Sequence, residues 1–343
     1  MADPQRTATH DLAIYAQLQR APYRFGFYKA LRLIECAHPD RPRLGESPRP
    51  ADDAVRLGQN PELTFAPATL DGFTPARGGA PARLTEQFLG LFGPGGPLPL
   101  HLTEYARDRL RNSSDASLSR FADVFHHRML SLFYRAWASA EPVVSFERPD
   151  ADRFGAQIGA LFGIGMPSFR GRDALPDVAK LFYAGRLACH ARNPEGLREM
   201  LIDFFRRPVE ILQFVGAWLP IPMPARCLLG RLPATATLGV NAVLGGRVWD
   251  AQHKFRIRIG PMSLAEYEQM LPGGGSFSRL VAAVRNYVGD ELAWDANLVL
   301  RGAEVPALCL NGRARLGWTT WCGSGRLARE ADDLCLQPMA YLK

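Results

Sequence analysis

Apolar side chains recur at three-residue spacing through Phe25, Tyr28, Leu31 and Ile34 before His38-Pro39 interrupts them, which predicts an amphipathic N-terminal helix in need of a partner surface. A stronger helical period runs over 116–139, after a shorter helix at 100–112. Leu118, Phe121, Val124, Phe125, Leu132, Phe133, Ala136 and Trp137 predict a broad apolar face turned to the core, with Asp115 or the serines before it as the cap. Helices are also predicted near 151–162, 175–191 and 194–206, the last opened by Asn193-Pro194-Glu195. The pattern then shortens: 208–219 and the strictly alternating Lys254-Phe255-Arg256-Ile257-Arg258-Ile259 predict strands, as do 88–92, 294–301 and 315–321. Ser263-Leu264-Ala265-Glu266 is a capping box that opens a short helix ended by Pro272-Gly273-Gly274-Gly275, and one more helix covers 278–289. The expected class is α+β.

Between these elements lies a segment of unusual texture. From Arg41 to Pro81 the chain is rich in Pro, Gly, Arg and Asp, yet carries isolated apolar residues at Leu57, Leu63, Phe65 and Leu70. Apolar beads on a turn-rich segment predict an ordered excursion whose side chains dock, either on this chain's own body or on a neighbour. Two stretches are also alike. Phe92-Gly93-Pro94-Gly95-Gly96-Pro97-Leu98-Pro99-Leu100 with Glu104-Tyr105 resembles Ile259-Gly260-Pro261-Met262-Ser263-Leu264 with Glu266-Tyr267. Either a strand, Gly-Pro, helix turn has been used twice by chance, or two related sub-domains each display one loop. The second reading divides the chain into a helical segment 1–40, a first sub-domain 41–150 with loop 43–80, a helical linker region 151–207, a second sub-domain 208–325 with loop 225–253, and a tail 326–343.

With 343 residues and 47% hydrophobic content the chain can bury a substantial core. Its net charge of +7 comes almost wholly from arginine, since the lysines are Lys29, Lys180, Lys254 and Lys343. The arginines are spread along the chain among acidic residues rather than gathered in a basic arm, so charge alone does not indicate nucleic acid. The N-terminus lacks a secretory pattern, and the most apolar stretch, Val209 to Met223, is interrupted by Glu210, Gln213, Pro220 and Pro222, so it reads as a strand and no membrane insertion is expected. The six cysteines form no Cys-x-x-Cys pair, which predicts free thiols in the core.

Few residues of the chain stand in a pattern that chemistry requires. No glycine cluster leads into Gly-Lys-Ser/Thr, and Gly93-Pro94-Gly95-Gly96-Pro97 has two prolines without amide donors, so it predicts a rigid turn rather than an anion cradle. His126 and His127 are neighbours on a helix and so point apart; they cannot readily share a metal, and one is expected against the core with the other at the surface. Cys322 beside Gly323-Ser324-Gly325 could serve a thiol-dependent hydrolase, but no base is visible, and Ser324 lacks the full nucleophile elbow. Glu104 and Glu266 fit helix N-termini better than acid–base work. No cofactor is expected.

Several strings resemble the TssG family of type VI secretion, also called ImpH or VasB. They are Asn60 to Phe65, Phe88 to Pro99, His127 to Trp137 with its His-Arg and Phe-Tyr-Arg-Ala-Trp core, Phe214 to Leu219, Leu244 to Asp250, Phe255 to Pro261, and Leu316 to Thr319, together spanning roughly 20–325. The resemblance implies a non-enzymatic cytoplasmic scaffold that pairs with TssF in a baseplate wedge, binds trimeric TssK adaptors, and is docked at the inner membrane through the secretion complex. TssE and other baseplate or sheath components are further candidate neighbours, and nucleic acid is not among them. It also implies two extended loops that engage TssK, placed by position at 43–80 and 225–253. Ala66 and Ala76 stand among prolines and arginines in the first loop, where contacts can vary. The candidate partner-binding residues are then Leu57, Leu63, Phe65, Pro67 and Leu70 on the first loop and Leu238, Val240, Leu244, Val248 and Trp249 on the second. Intramolecular packing is the competing reading for Leu63, Phe65, Leu238, Val240 and Leu244, and for Trp137, Trp218, Trp249 and Trp318 a core position is the more common fate. A thiol-dependent hydrolase at Cys322 and an arginine-mediated nucleic-acid binder are the alternatives from other classes.

Overall fold

The structure, a computed structural model, describes residues 14–228, 233–309, 314–322 and 328–341. The chain divides into two compact units, Met1–Gly155 and Ala156–Lys343. Each has its own small mixed sheet, its own helices and its own apolar core, so the class is α+β.

In the first unit the helix α1 (Phe27–Ala37) turns Phe27, Ala30, Leu31 and Ile34 inward; Leu31 and Ile34 follow the expected stripe, while Phe25 precedes the helix and Tyr28 is half-buried on its flank. Strands β1 (Arg56–Gln59), β2 (Leu70–Thr74) and β3 (Arg83–Glu86) form a sheet in the order β1-β3-β2, with β1 parallel and β2 antiparallel to β3. Helices α2 (Leu100–Asn112) and α3 (Ser117–Ala140) follow, and Asp115 accepts the Ser117 N–H at the entry to α3. Leu31, Ile34, Leu57, Leu70, Leu84, Leu130 and Tyr134 share one core, so the N-terminal helix belongs to the same body as the sheet.

The long helix is turned the opposite way from its apolar pattern. Its buried residues are Ser119, Ala122, His126, His127, Leu130, Ser131, Tyr134 and Ala138, whereas Phe121 is 65% and Phe125 52% exposed. Phe133 and Trp137 lie on the flank, where Trp137 stacks on Tyr28 at 4.6 Å. Hydrogen bonding to β1 explains the inversion. Leu57 donates its N–H to His127 Nδ1 at 3.2 Å, and Gln59 donates its N–H to Asp123 Oδ1 at 3.0 Å. The helix thus supplies acceptors to a buried strand edge, where an unmet amide costs about 1–3 kcal/mol. Gly58 lies between them, and a Cβ there would sit 2.4 Å from the Asp123 carboxylate. Both histidines are therefore buried, not one, and each ring nitrogen has a partner. His127 Nε2 faces Asp53 at 2.8 Å, while His126 accepts the Leu91 N–H and faces Asp123. Because a backbone N–H can only donate, the hydrogen sits on the other nitrogen of each ring, pointing to a carboxylate.

The stretch 88–92, expected as a strand, has none of the ladder bonds. Its amides go to side chains: Phe88 and Leu89 to Glu86, Leu91 to His126, Phe92 to Gln59 and Gly93 to Thr103. Gln59 also donates to the Phe92 carbonyl at 2.9 Å, so one side-chain amide imitates a strand pairing. Residues 41–46 are held similarly. The buried Glu35 carboxylate accepts from Leu44 N–H, Tyr134 and Arg135, and Arg148 donates to the Arg41 carbonyl.

In the second unit β4 (Val209–Leu212), β7 (Lys254–Met262), β8 (Ala293–Leu300) and β9 (Ala331–Leu336) form a sheet in that order, parallel only between β7 and β8. Strand β7 alternates as expected: Phe255, Ile257 and Ile259 are buried, and Arg256 bonds to the buried Asp295 of β8 on the opposite face. Helices α4 (Pro194–Phe205), α5 (Leu264–Gln269) and α6 (Gly275–Val288) supply Leu197, Met200, Leu201, Tyr267, Leu280 and Val284 to the core. The Asn193 cap and the Ser263–Glu266 capping box both form. The expected helix at 175–191 is two short ones, Asp177–Phe182 and Ala184–Leu187. The expected strand at 208–219 is likewise two, β4 and β5 (Ala217–Pro220), separated at Phe214, whose φ is +56°. Residues 315–321 are a turn with Leu316 93% exposed, and the sheet takes its last strand from β9 in the tail instead.

Replacing Gly58 by Ala is expected to destabilise the first unit by about 1–3 kcal/mol, because the added methyl must push α3 off β1. Urea unfolding checks it; equal midpoints for parent and variant would mean that α3 can withdraw freely.

Candidate interaction surface

Two of the family-like strings face each other. Gln59, Asn60, Glu62, Thr64 and Phe65 form one wall, and Gln87, Phe88, Gly90, Phe92 and Gly93 to Gly96 the other, of a cleft of about 350 Å³. Phe65 stands at the rim, 91% exposed, with Pro67 exposed and Leu63 half-buried beside it. The feet of this tip are tied: Asn60 and Gln87 both donate to Asp71, and Arg111 pairs with Glu62 at 2.7 Å. Leu57 and Leu70 are placed elsewhere. They are 1% and 2% exposed because each takes an inward position on β1 or β2, so of the five candidates on the 43–80 segment Phe65 and Pro67 are the exposed ones and Leu63 is half-buried.

The second loop is an antiparallel ribbon of β5 and β6 (Arg247–Asp250) that carries residues 221–246 at its end, of which 229–232 lie outside the described residues. Trp218 and Trp249 are register partners with rings 5.4 Å apart, and both are 60% exposed. Gly216 makes room for the Trp249 ring, since a Cβ there would fall 2.0 Å from it. Leu238 and Leu244 are more than nine-tenths exposed, with Val240 close behind and Val248 at the border of exposure. At the base Val215 N–H bonds to the Lys254 carbonyl, and at the far end Ile221 N–H bonds to the Gly246 carbonyl, each at 2.9 Å. Sequence reasoning favoured the core for Trp218 and passed over Phe214, which is 72% exposed. Pro220 and Pro222, which cannot donate to a ladder, were the available sign that this ribbon stays two-stranded among the described residues.

Among the described residues reactive groups are not gathered. The cysteines are free thiols but not in the core: Cys36, Cys189, Cys309, Cys322 and Cys335 are exposed and Cys227 is half-buried. Gly323, Ser324 and Gly325 lie outside the described residues, and no hydrogen bond joins the Cys322 thiol to a base among the described ones. Glu266 closes its capping box, and the Ser263 N–H together with Arg207 hold its carboxyl down at about 2. Among the described residues no group of three His, Cys, Asp or Glu side chains could hold a metal, and no helix is long and apolar enough to cross a membrane.

Apolar side chains held out on anchored loops mark a protein that works inside an assembly. The comparisons with known proteins agree in kind. The profile of the type VI secretion TssG family matches residues 21–323, and the chain belongs to that family. In fold it is similar to a chain of the baseplate complex from the type VI secretion system, at 21% identity and a TM-score of 0.66 over 97% of this chain and 94% of that one. It is also similar to a chain of a type VI secretion TssK-TssF-TssG baseplate subcomplex seen by cryo-electron microscopy, at 21% identity and a TM-score of 0.53 over 61% of this chain and 88% of that one. A search of curated protein sequences gives no match.

Glu86, which fastens one wall of the cleft, generates a pH prediction. It is 1% exposed, and burial pushes its carboxyl up from 4.5 to about 7 against the two amide bonds that favour the anion. The unfolded chain therefore ionises first. Stability present below pH 4.5 is lost progressively as the pH rises to 7, by an amount on the order of 3 kcal/mol. Glu86→Gln keeps an acceptor for Phe88 and Leu89 and removes the titration. The variant should gain on the parent in melting temperature from pH 5 to pH 8, and parallel curves would contradict the burial argument.

Proposed function

We propose that the chain is a structural, non-catalytic subunit of the type VI secretion baseplate in the cytoplasm, and that it pairs with TssF and grips TssK through its two loops. The observation that carries this reading is the anchored exposure of Phe65 on one loop and of Leu238, Val240, Leu244 and Trp249 on the other. A side chain already held out on a tied backbone loses little entropy when a neighbour covers it. The named components of the subcomplex that shares its fold supply the partners, and family membership supplies the machine. In that setting TssE and other baseplate or sheath components are further neighbours, and the baseplate holds the chain at the inner membrane through the secretion complex.

Two weak grips joined by one chain can raise avidity by about 10²–10⁴-fold, provided both sites face their targets. Co-purification tests the assignment. Phe65→Asp, or a Gly-Ser linker in place of 235–246, should each lower TssK retention by at least tenfold while TssF stays bound. Full TssK capture by a chain lacking both loops would end the proposal.

A further inference from the structure

The outward face of α3 remains after the loops are set aside. Leu118, Phe121, Val124, Phe125, Met129 and Leu132 form one stripe along it, and Phe121 and Phe125 meet edge to face at 5.6 Å. Six such partly exposed side chains present roughly 600 Å² of apolar surface, taking about 150–250 Å² for a whole aromatic side chain. That reaches the largest patch usual on a monomer, about 300–600 Å². The stripe is about 21 Å long at 1.5 Å per residue, the length of a four-turn helix laid alongside.

Charge decides what can lie there. On its exposed side α3 carries Arg120 and Arg128 and no carboxylate. Arg120 and Val124 also open onto a groove of about 510 Å³ lined by Arg56, Arg77 and Arg83. The only carboxylate among that groove's lining residues is Asp123, and its Oδ2 is taken by Arg83 at 2.5 Å while Oδ1 holds the Gln59 amide. No ion pair engages Arg56, Arg77 or Arg128 among the described residues, and Arg120 has only a long pair, 3.7 Å, to the Asp123 Oδ2 that Arg83 already holds, so the single carboxylate leaves most of the groove's positive charge unmatched. An apolar stripe that ends in unneutralised arginines selects an apolar partner with acidic margins. Stripe and groove together approach the roughly 800 Å² per partner of a stable interface.

We propose that the outward face of α3 and the arginine groove beside it form one docking surface for an acidic amphipathic helix of another protein chain. Its apolar side lies along Phe121, Phe125 and Met129, and its carboxylates reach Arg56, Arg77 and Arg120. This does not depend on which protein the loops grip, and loop variants leave the surface intact.

Photo-cross-linking in the full-length chain within the assembled baseplate tests it, with p-benzoylphenylalanine at Phe125 in one sample and at Arg77 in another. The expected result is that both positions capture the same helical segment of a different chain, one with an apolar stripe flanked by Asp or Glu. Phe121→Glu, and Arg56→Glu with Arg77→Glu, should each reduce that capture at least tenfold while circular dichroism and TssK retention stay unchanged. Exchanging the captured carboxylates for lysine should restore it in the double-glutamate variant. Capture of a second copy of this chain, of its own residues 156–343, of nucleic acid, of a segment without acidic margins, of two unrelated segments, or of nothing overturns the proposal.

Discussion

The first unit depends on the way the free edge of β1 is satisfied. Leu57 and Gln59 lie two residues apart on a strand, so their amides are about 6.6–6.8 Å apart. Asp123 and His127 lie four residues apart on a helix, a rise of about 6 Å on one face. The two spacings match closely enough for a helix running against the strand to act as its missing neighbour. Strand and helix must approach closely for this, and Gly58 is the residue that allows it.

Most of what is distinctive follows from that orientation. With Asp123 and His127 turned inward, His126 reaches the Leu91 amide and helps fasten the cleft wall, while Tyr134 and Arg135 reach Glu35 two turns further on. The same rotation carries Phe121, Phe125 and Met129 outward. A buried polar network is costly when incomplete, and among the described residues nearly every member is paired, the exceptions being one oxygen of Glu86 and the Ser131 hydroxyl. Polar satisfaction therefore outweighs the larger apolar content of the opposite face, which stays exposed.

The second unit follows the simpler rule. Strand β7 buries alternate apolar residues, β8 is covered on both sides, and α4 and α6 close one face with leucine and valine. Its polar face is held by Arg256 and Lys254 on Asp295 and by Asn297 on the carbonyls of β9. The ribbon bearing Trp218 and Trp249 forms a separate two-stranded sheet, so its tryptophans gain no layer above them.

Local information was enough for α1, α2, α4, the capping box of α5 and the alternation of β7, because each is set by spacing, caps and turn residues within one short window. The string Phe-Tyr-Arg-Ala-Trp and its companions were enough for the family. The exposed tip at Phe65 was also within reach of the sequence, as an apolar bead on a segment otherwise full of turns, whereas Leu238, Val240 and Leu244 were reached only through the position that the family resemblance gives the second loop. Local information could not place Leu57 and Leu70, which became strand residues only through pairing with β3, or β9, which needed the edge of β8. Nor could it show which face of α3 is buried. A hydrophobic period records how much apolar surface a helix has, whereas the direction of burial depends on distant backbone amides that only the folded chain brings within reach of Asp123, His126 and His127.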